Sequence, residues 1–159
     1  MKYIQCPEVY KPKPTDYSVF LAGGITGCDD WQKWVVEELK TLKLLKNLVI
    51  INPRRENWNS SIKNEEQITW EFEHIRKCNV VCFYFTPPTL NPITLLEYGK
   101  LLVSNKDLIV HVHPDYARKD DVCIQTKLER PFQYISNNNF KEIPRHISSM
   151  YMVYHRDLK

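Results

Sequence analysis

The chain reads SVFLAGGITG at residues 18–27, and this stretch decides the predicted fold. It begins with an apolar run of strand length, and three of the chain's four glycines follow at once. Asp29 or Asp30 can then cap a helix that begins at Trp31. A short buried strand, a glycine-rich turn and a helix are the usual opening of an open parallel sheet.

The same alternation continues along the chain. Short apolar runs predict strands at residues 48–51, 80–85 and 108–112, with helices at residues 31–42, from 64 or 65, and at 93–104. Further on, the pattern predicts a helix near 121–128, a strand at 132–135 and a helix from about 140. Residues 1–17, with three prolines, are expected to form an extended arm without a folded element. The prediction is a single α/β domain over residues 1–159, a parallel sheet of about five strands with helices on both faces.

Composition excludes several classes of protein. With 43% hydrophobic and 26% charged residues, the 159-residue chain is expected to fold. Its 22 basic and 19 acidic side chains leave a net charge of only +3, so neither a nucleic-acid polymer nor a membrane is an expected partner. No signal-peptide or membrane-spanning pattern is found. The five cysteines include no Cys-x-x-Cys pair, so free thiols and a cytoplasmic location are predicted.

Parallel sheets bind ligands at the carboxyl ends of their strands, which directs attention to the loops that follow them. In the first loop, residues 23–27, glycines allow backbone amides to approach a ligand, and the following helix N-terminus favours an anion. A plain tight turn explains that loop equally well. Arg54 and Arg55 follow the next strand, and one of them is expected to reach the site. A solvated surface pair is the alternative.

The motif QITWE ends at Glu71, on a predicted helix. Ile68, Phe72 and Ile75 have the spacing of a buried stripe, and Glu71 lies one position from it, facing the rim of the sheet. A solvated surface acid is the alternative explanation for Glu71. No second His or Cys lies at metal-ligand spacing from His74, so no metal is expected.

The motif PITLLEYG follows the central strand and its polar loop. It places Glu97 among leucines near a helix N-terminus, where a carboxylate is a plausible nucleophile or base. Gly99 has no side chain, so another backbone or a ligand could approach the helix closely at this position. A glutamate that only interacts with the helix dipole explains Glu97 but not Gly99.

Five motifs occur in order: VFLAGGI from residue 19, WQ from 31, NPRR from 52, QITWE from 67 and PITLLEYG from 92. Together they resemble the nucleoside 2-deoxyribosyltransferase family, in its branch with a Gly-Gly-Ile first loop, over residues 18–112. The resemblance implies a flavodoxin-like doubly wound fold. It also implies cleavage of the N-glycosidic bond of 2′-deoxynucleosides through a deoxyribosyl-glutamate, which a second base or water then captures. The expected partners are a small-molecule nucleoside or nucleotide, with no cofactor, and a second copy of the chain in a homodimer or dimer of dimers.

By position, Glu97 matches the family's nucleophile and Glu71 an acid that contacts the base. An oxocarbenium-like transition state needs a carboxylate beneath C1′, and the departing base needs a proton, so two carboxylates in different environments meet both demands. The expected substrate-binding residues lie in the loops and the first turns of helices: Gly23, Gly24, Ile25, Thr26, Gly27, Trp31, Arg54, Asn91 and Tyr98.

Asn91 stands roughly where the family commonly has a second acidic residue, so base protonation is expected to fall to Glu71. A related branch hydrolyses deoxynucleoside 5′-monophosphates and holds the phosphate with small residues and helix amides, which residues 23–27 also offer. That hydrolysis is the alternative activity. A non-catalytic nucleotide-binding module is a further alternative, against which the presence of both Glu97 and Gly99 argues.

Overall fold

Six parallel strands form one sheet in the computed structural model, which describes residues 1–56 and 63–157. The strands are β1 (Lys2–Gln5), β2 (Tyr17–Gly23), β3 (Leu48–Asn52), β4 (Val80–Phe85), β5 (Asp107–Val112) and β6 (Ile135–Ser136). They lie in the order β1-β3-β2-β4-β5-β6, and every adjacent pair is parallel. Strand order therefore reverses at β2, whose two neighbours are the next two strands along the chain.

Helices cover both faces of the sheet. In the described residues they are α1 (Trp31–Thr41), α2 (Asn64–Lys77), α3 (Pro92–Leu102), α4 (Lys119–Glu129) and α5 (Ile143–Asp157), with a 3-10 turn at Phe140–Glu142. Alternate residues of β2 belong to two separate cores. Phe20 and Ala22 share one core with α2, α3 and α4, whereas Val19 and Leu21 share the other with α1 and α5. The predicted doubly wound, flavodoxin-like α/β fold is confirmed.

The first residues of the chain are part of this sheet, so the expectation of an arm without a folded element was wrong. β1 pairs with β3, and the amide of Cys6 extends the pairing by donating to the Asn52 carbonyl at 3.1 Å. Ile4 and Tyr10 are buried in the core. The added strand satisfies backbone groups of β3 that would otherwise form an exposed edge.

Helix α2 is turned away from its predicted orientation. Ile68 and Phe72, expected to be buried with Ile75, are 65% and 58% exposed. The buried side instead consists of Gln67, Trp70, His74 and Ile75. This polar side can be buried because the Trp70 indole N–H and the His74 Nε2 both bind the backbone of residues 8–10, at 2.8 and 3.0 Å.

The C-terminal third follows the prediction with shifted boundaries. The strand expected at residues 132–135 is limited to β6, and the helix expected near 121–128 is α4. All five cysteines are free thiols, as predicted. Among the described helices, none is both long enough and apolar enough to cross a membrane.

Candidate active site

A cavity of about 390 Å³ lies where strand order reverses. Its walls come from the end of β2 and the loop after it, from α2, and from the loop and first turns that lead into α3. This is the place where doubly wound sheets bind ligands. The structure brings seven of the expected site residues to the cavity: Gly23, Gly24, Ile25, Thr26, Asn91, Glu71 and Glu97.

Two carboxylates enter this cavity from consecutive helices. Burial and, to a smaller extent, the nearby Glu71 carboxylate raise the pKa of Glu97 to about 7, against the opposing effect of Lys100. Burial also raises the pKa of Glu71, against the opposing effects of a hydrogen bond from Gln67 and the positive charge of Arg55. The pair therefore retains protons at a pH where isolated carboxyl groups are ionised.

Tight packing shapes the glycine loop. A Cβ on Gly23 would lie 2.5 Å from the Tyr84 carbonyl oxygen, and one on Gly24 would lie still closer to Oδ1 of Asn91. Neither approach is possible without movement, so both positions need glycine. The Trp31 indole N–H donates to the Gly24 carbonyl at 3.1 Å and holds the loop in place. The glycines thus serve a tight turn, and the same turn forms one wall of the cavity.

Asn91 fixes the loop that precedes Glu97. It is buried, has φ 48°, a left-handed conformation that Asn adopts more readily than most residues, and directly precedes α3. Its Nδ2 donates to the Thr86 carbonyl at 2.8 Å, and its Oδ1 accepts from the Thr89 hydroxyl at 2.9 Å. The amide therefore holds the start of α3, and with it the position of Glu97.

Arg54 was predicted to be a substrate-binding residue, but the structure gives the two arginines other roles. The Arg54 guanidinium donates to the carbonyls of Asp29 and Cys28, at 2.9 and 3.1 Å, and does not line the cavity. Arg55 is buried, and its charge acts on Glu71. Arg54 thus stabilises the loop before α1, and Arg55 is the arginine whose charge reaches the site.

Three other expected residues do not line the cavity. Trp31 is buried and packs edge-on against Tyr84, with ring centroids 5.3 Å apart. Tyr98 is buried and hydrogen-bonds the hydroxyl of Thr126. Gly27 has φ +71° and does not line the cavity. Both aromatic side chains belong to the core, where their polar atoms find partners.

The remaining lining residues were not among the expected site residues: Phe20, Ala22, Pro53, Thr89, Pro92, Ile93 and Thr94. Thr94 could have been predicted as a lining residue, because it lies three residues before Glu97 and therefore on the same face of α3. Pro53 and Pro92 stand inside quoted motifs. The wall of the cavity is mostly apolar, as is usual for sites that bind small molecules.

The chemistry available here is that of carboxylates. Among the described residues, the lining contains no charged side chain besides Glu71 and Glu97. The described part of the chain also holds no group of three or more His, Cys, Asp or Glu side chains arranged to bind a metal ion. Two carboxyl groups with raised pKa values can supply one nucleophile and one acid.

A doubly wound α/β protein with a carboxylate pair at the point of strand reversal is of the class that binds small molecules in this crevice. The family model described as "Nucleoside 2-deoxyribosyltransferase like" matches residues 16–116, and the chain belongs to this family. Membership indicates a glycosyltransferase-type enzyme with a small-molecule nucleoside substrate.

The fold is similar to a solved structure described as "Crystal structure of conserved protein from Enterococcus faecalis V583". The TM-score is 0.58 at 9% sequence identity, with 85% of this chain and 99% of that chain covered. At this identity the likeness shows the fold alone. No protein of curated function matches the sequence.

Proposed function

We propose that this protein cleaves the N-glycosidic bond of 2′-deoxynucleosides and transfers the deoxyribosyl group to a second nucleobase. The observation that carries the proposal is the pair Glu71 and Glu97, which line one cavity with raised pKa values. Membership of the family supports the choice of deoxyribosyl chemistry over other uses of two carboxylates.

In the first half of the reaction, the ionised Glu97 attacks C1′. A bond forms between C1′ and a carboxylate oxygen while the C1′–N bond breaks, and its electron pair moves to the base nitrogen. Glu71 gives its proton to the departing base. In the second half, a nitrogen of another base attacks C1′, the bond to Glu97 breaks, and Glu71 takes the proton of the incoming base.

The two carboxyl groups need opposite protonation states for this reaction. Two negative charges in one buried site are unfavourable, so the pair is expected to share a proton near neutral pH. The reactive form carries that proton on Glu71 and the charge on Glu97. A base nitrogen next to Glu71 stabilises this form, because it accepts a hydrogen bond from the protonated acid.

Charge favours a neutral nucleoside over a 5′-monophosphate. The described lining has two carboxylates and no cationic side chain, and the positive charge of Arg55 already acts on Glu71, so a phosphate would enter a mainly negative cavity. One observation favours the alternative, deoxynucleoside 5′-monophosphate hydrolysis. Ile93 and Thr94 line the cavity in the first turn of α3, where backbone N–H groups lack helical partners and can bind an anion.

Base exchange tests these possibilities directly. The protein is incubated with a 2′-deoxynucleoside and a free second base, and in parallel with a deoxynucleoside 5′-monophosphate, and the products are separated by chromatography. A new deoxynucleoside supports transfer. Release of deoxyribose 5-phosphate from the nucleotide alone indicates the alternative hydrolase, and binding without turnover indicates a non-catalytic module. The Glu97→Gln variant is the control for contaminating activity.

We further propose that two copies of the chain associate through α2 and α3. Both helices carry apolar side chains that are more than half exposed, namely Ile68, Phe72, Ile93 and Leu96, and Val103 directly after α3 is exposed as well. No atom outside its own helix lies within 4 Å of a Cβ built on Gly99, so nothing in the described chain requires glycine there, whereas a second copy could approach closely.

A further inference from the structure

Gln67 lies one helical turn before Glu71 on the buried side of α2. Its Nε2 is 2.7 Å from Oε1 of Glu71 and 3.0 Å from the carbonyl oxygen of Pro53. Its own Oε1 lies 3.5 Å from the sulfur of Cys6. Each polar atom of the Gln67 side chain thus has a partner, and the three partners come from three different segments of the chain.

These contacts define the orientation of the amide. The Pro53 carbonyl can only accept a hydrogen bond, so the amide atom next to it must be the NH2 group. The Cys6 thiol donates to the other amide atom, which agrees with an oxygen there. Because the same NH2 group faces Glu71, Oε1 of Glu71 is an acceptor whether or not that carboxyl group is protonated.

We propose that Gln67 is a positioning residue that confines the transferable proton of Glu71 to its Oε2 atom. This inference rests on the proposed deoxyribosyl transfer and deepens it. A proton on Oε1 would weaken the 2.7 Å hydrogen bond, because the hydroxyl oxygen of a carboxylic acid is a poorer acceptor than its carbonyl oxygen. The acid therefore delivers its proton to the departing base, and recovers one from the incoming base, at a single oxygen.

Several charges and titratable groups surround this acid. The hydrogen bond from Gln67 and the charge of Arg55 both lower the pKa of Glu71, whereas burial raises it. The negative charge of Glu71 in turn raises the pKa of Glu97. Burial raises the pKa of the Cys6 thiol to about 11, so that group stays neutral in the working range. Loss of the Gln67 donor consequently raises the pKa of Glu71, and the decline of activity at alkaline pH moves to higher pH.

Gln67→Met keeps the volume of the side chain and removes the donor. Its activity is measured on an ordinary 2′-deoxynucleoside and on a 2-deoxyriboside with a nitrophenol leaving group, which departs without a proton. We expect a loss of roughly 10- to 100-fold on the nucleoside and little loss on the activated substrate. Gln133→Met is the matched control, because Gln133 also donates two bonds to carbonyls, those of Leu108 and Tyr134, but lies away from the cavity.

The two substrates separate positioning from folding. An equal loss on both substrates, or an unchanged alkaline limb of the pH profile, overturns the proposal and leaves Gln67 a structural residue. If Gln67→Met does not fold, Gln67→Asn replaces it, since its amide is one methylene shorter and does not reach Glu71. If the wild-type protein exchanges bases and Gln67→Met keeps full activity, the positioning role of Gln67 is contradicted but the proposed function is not. Wild-type protein without glycosidic cleavage overturns the proposed function and this inference together.

Discussion

Glu71 and Glu97 face one cavity from consecutive helices, and their titrations are linked. Burial is the larger cause of the raised pKa of Glu97, and the negative charge of Glu71 is the second cause. Removing either carboxyl group must therefore change the protonation of the other. This relationship makes the candidate site testable through pH as well as through turnover.

Replacement of Glu97, the proposed nucleophile, should abolish turnover. Glu97→Gln keeps the shape of the side chain but cannot form the bond to C1′, so we expect a loss of roughly 10³-fold or more. Mass spectrometry of wild-type protein quenched with a 2′-deoxynucleoside should show a deoxyribosyl adduct that the variant lacks. Glu129→Gln, at the exposed end of α4, serves as the control. Near-normal turnover in folded Glu97→Gln would remove Glu97 from the mechanism.

The same variant should be more stable than the wild type at alkaline pH. The pKa of Glu97 rises from 4.5 to about 7 on folding, so the folded state binds more protons between these values. Wild-type stability therefore falls as the pH rises through about 7, while the uncharged amide of Glu97→Gln avoids this loss. Urea denaturation at pH 8 should give the variant an advantage on the order of 1–3 kcal/mol, which shrinks toward pH 5. A difference that is constant with pH would contradict the raised pKa.

The effect of replacing Glu71, the proposed acid, on turnover should depend on the leaving group. Glu71→Gln cannot protonate the base, so turnover of ordinary 2′-deoxynucleosides should fall roughly 10²- to 10⁴-fold. A substrate whose leaving group needs no proton should be cleaved at nearly the normal rate. Steady-state kinetics with both substrates decide the matter. Equal losses would assign Glu71 a structural or binding role.

The acid limb of the pH profile should move in Glu71→Gln. Removing the negative charge of Glu71 lowers the pKa of Glu97, so the nucleophile ionises at lower pH. With the activated substrate, the rise of kcat/KM should therefore occur at lower pH than in the wild type. An unchanged midpoint would mean that the two carboxylates do not interact.

Association through α2 and α3 should be sensitive to a charge on their outer faces. Leu96→Asp places a carboxylate on the exposed face of α3, and we expect light scattering to show a monomer where the wild type forms a dimer. Leu128→Asp changes an equally apolar, more exposed side chain on α4 and should leave the dimer intact. A wild-type monomer with full activity would show that each chain works alone.

Apart from β1, the order of strands and helices could be predicted from local patterns, and so could the glycine turn and the place of the cavity. The buried side of α2 could not be predicted in this way. Ile68 and Phe72 have helical spacing, but the polar atoms of Trp70 and His74 find partners in residues 8–10, more than sixty positions earlier. Local periodicity does not record such distant partners.

Some of the candidate site residues could be predicted from local motifs, and others could not. Glu71 and Glu97 lie at the cavity, as their motifs predicted, whereas Tyr98 does not, although it is the next residue after Glu97. Successive residues on a helix differ by about 100° in direction, so proximity in sequence says little about which side chain reaches a cavity. The same holds for the neighbouring residues Arg54 and Arg55 in a loop. The Arg54 guanidinium binds the backbone before α1, whereas the charge of Arg55 acts on Glu71, and their sequence positions do not distinguish these roles.

The attachment of α2 to the N-terminal segment limits how that helix can move. Cys6 contacts Gln67, the Glu8 carbonyl accepts from Trp70, and the Tyr10 amide donates to His74, so three points on one helical face are held by five residues of chain. A helix attached in this way cannot rotate about its axis or slide by one position, which would turn Glu71 by about 100°. The direction in which the Glu71 side chain points thus depends on the segment that follows β1, the strand at one edge of the sheet.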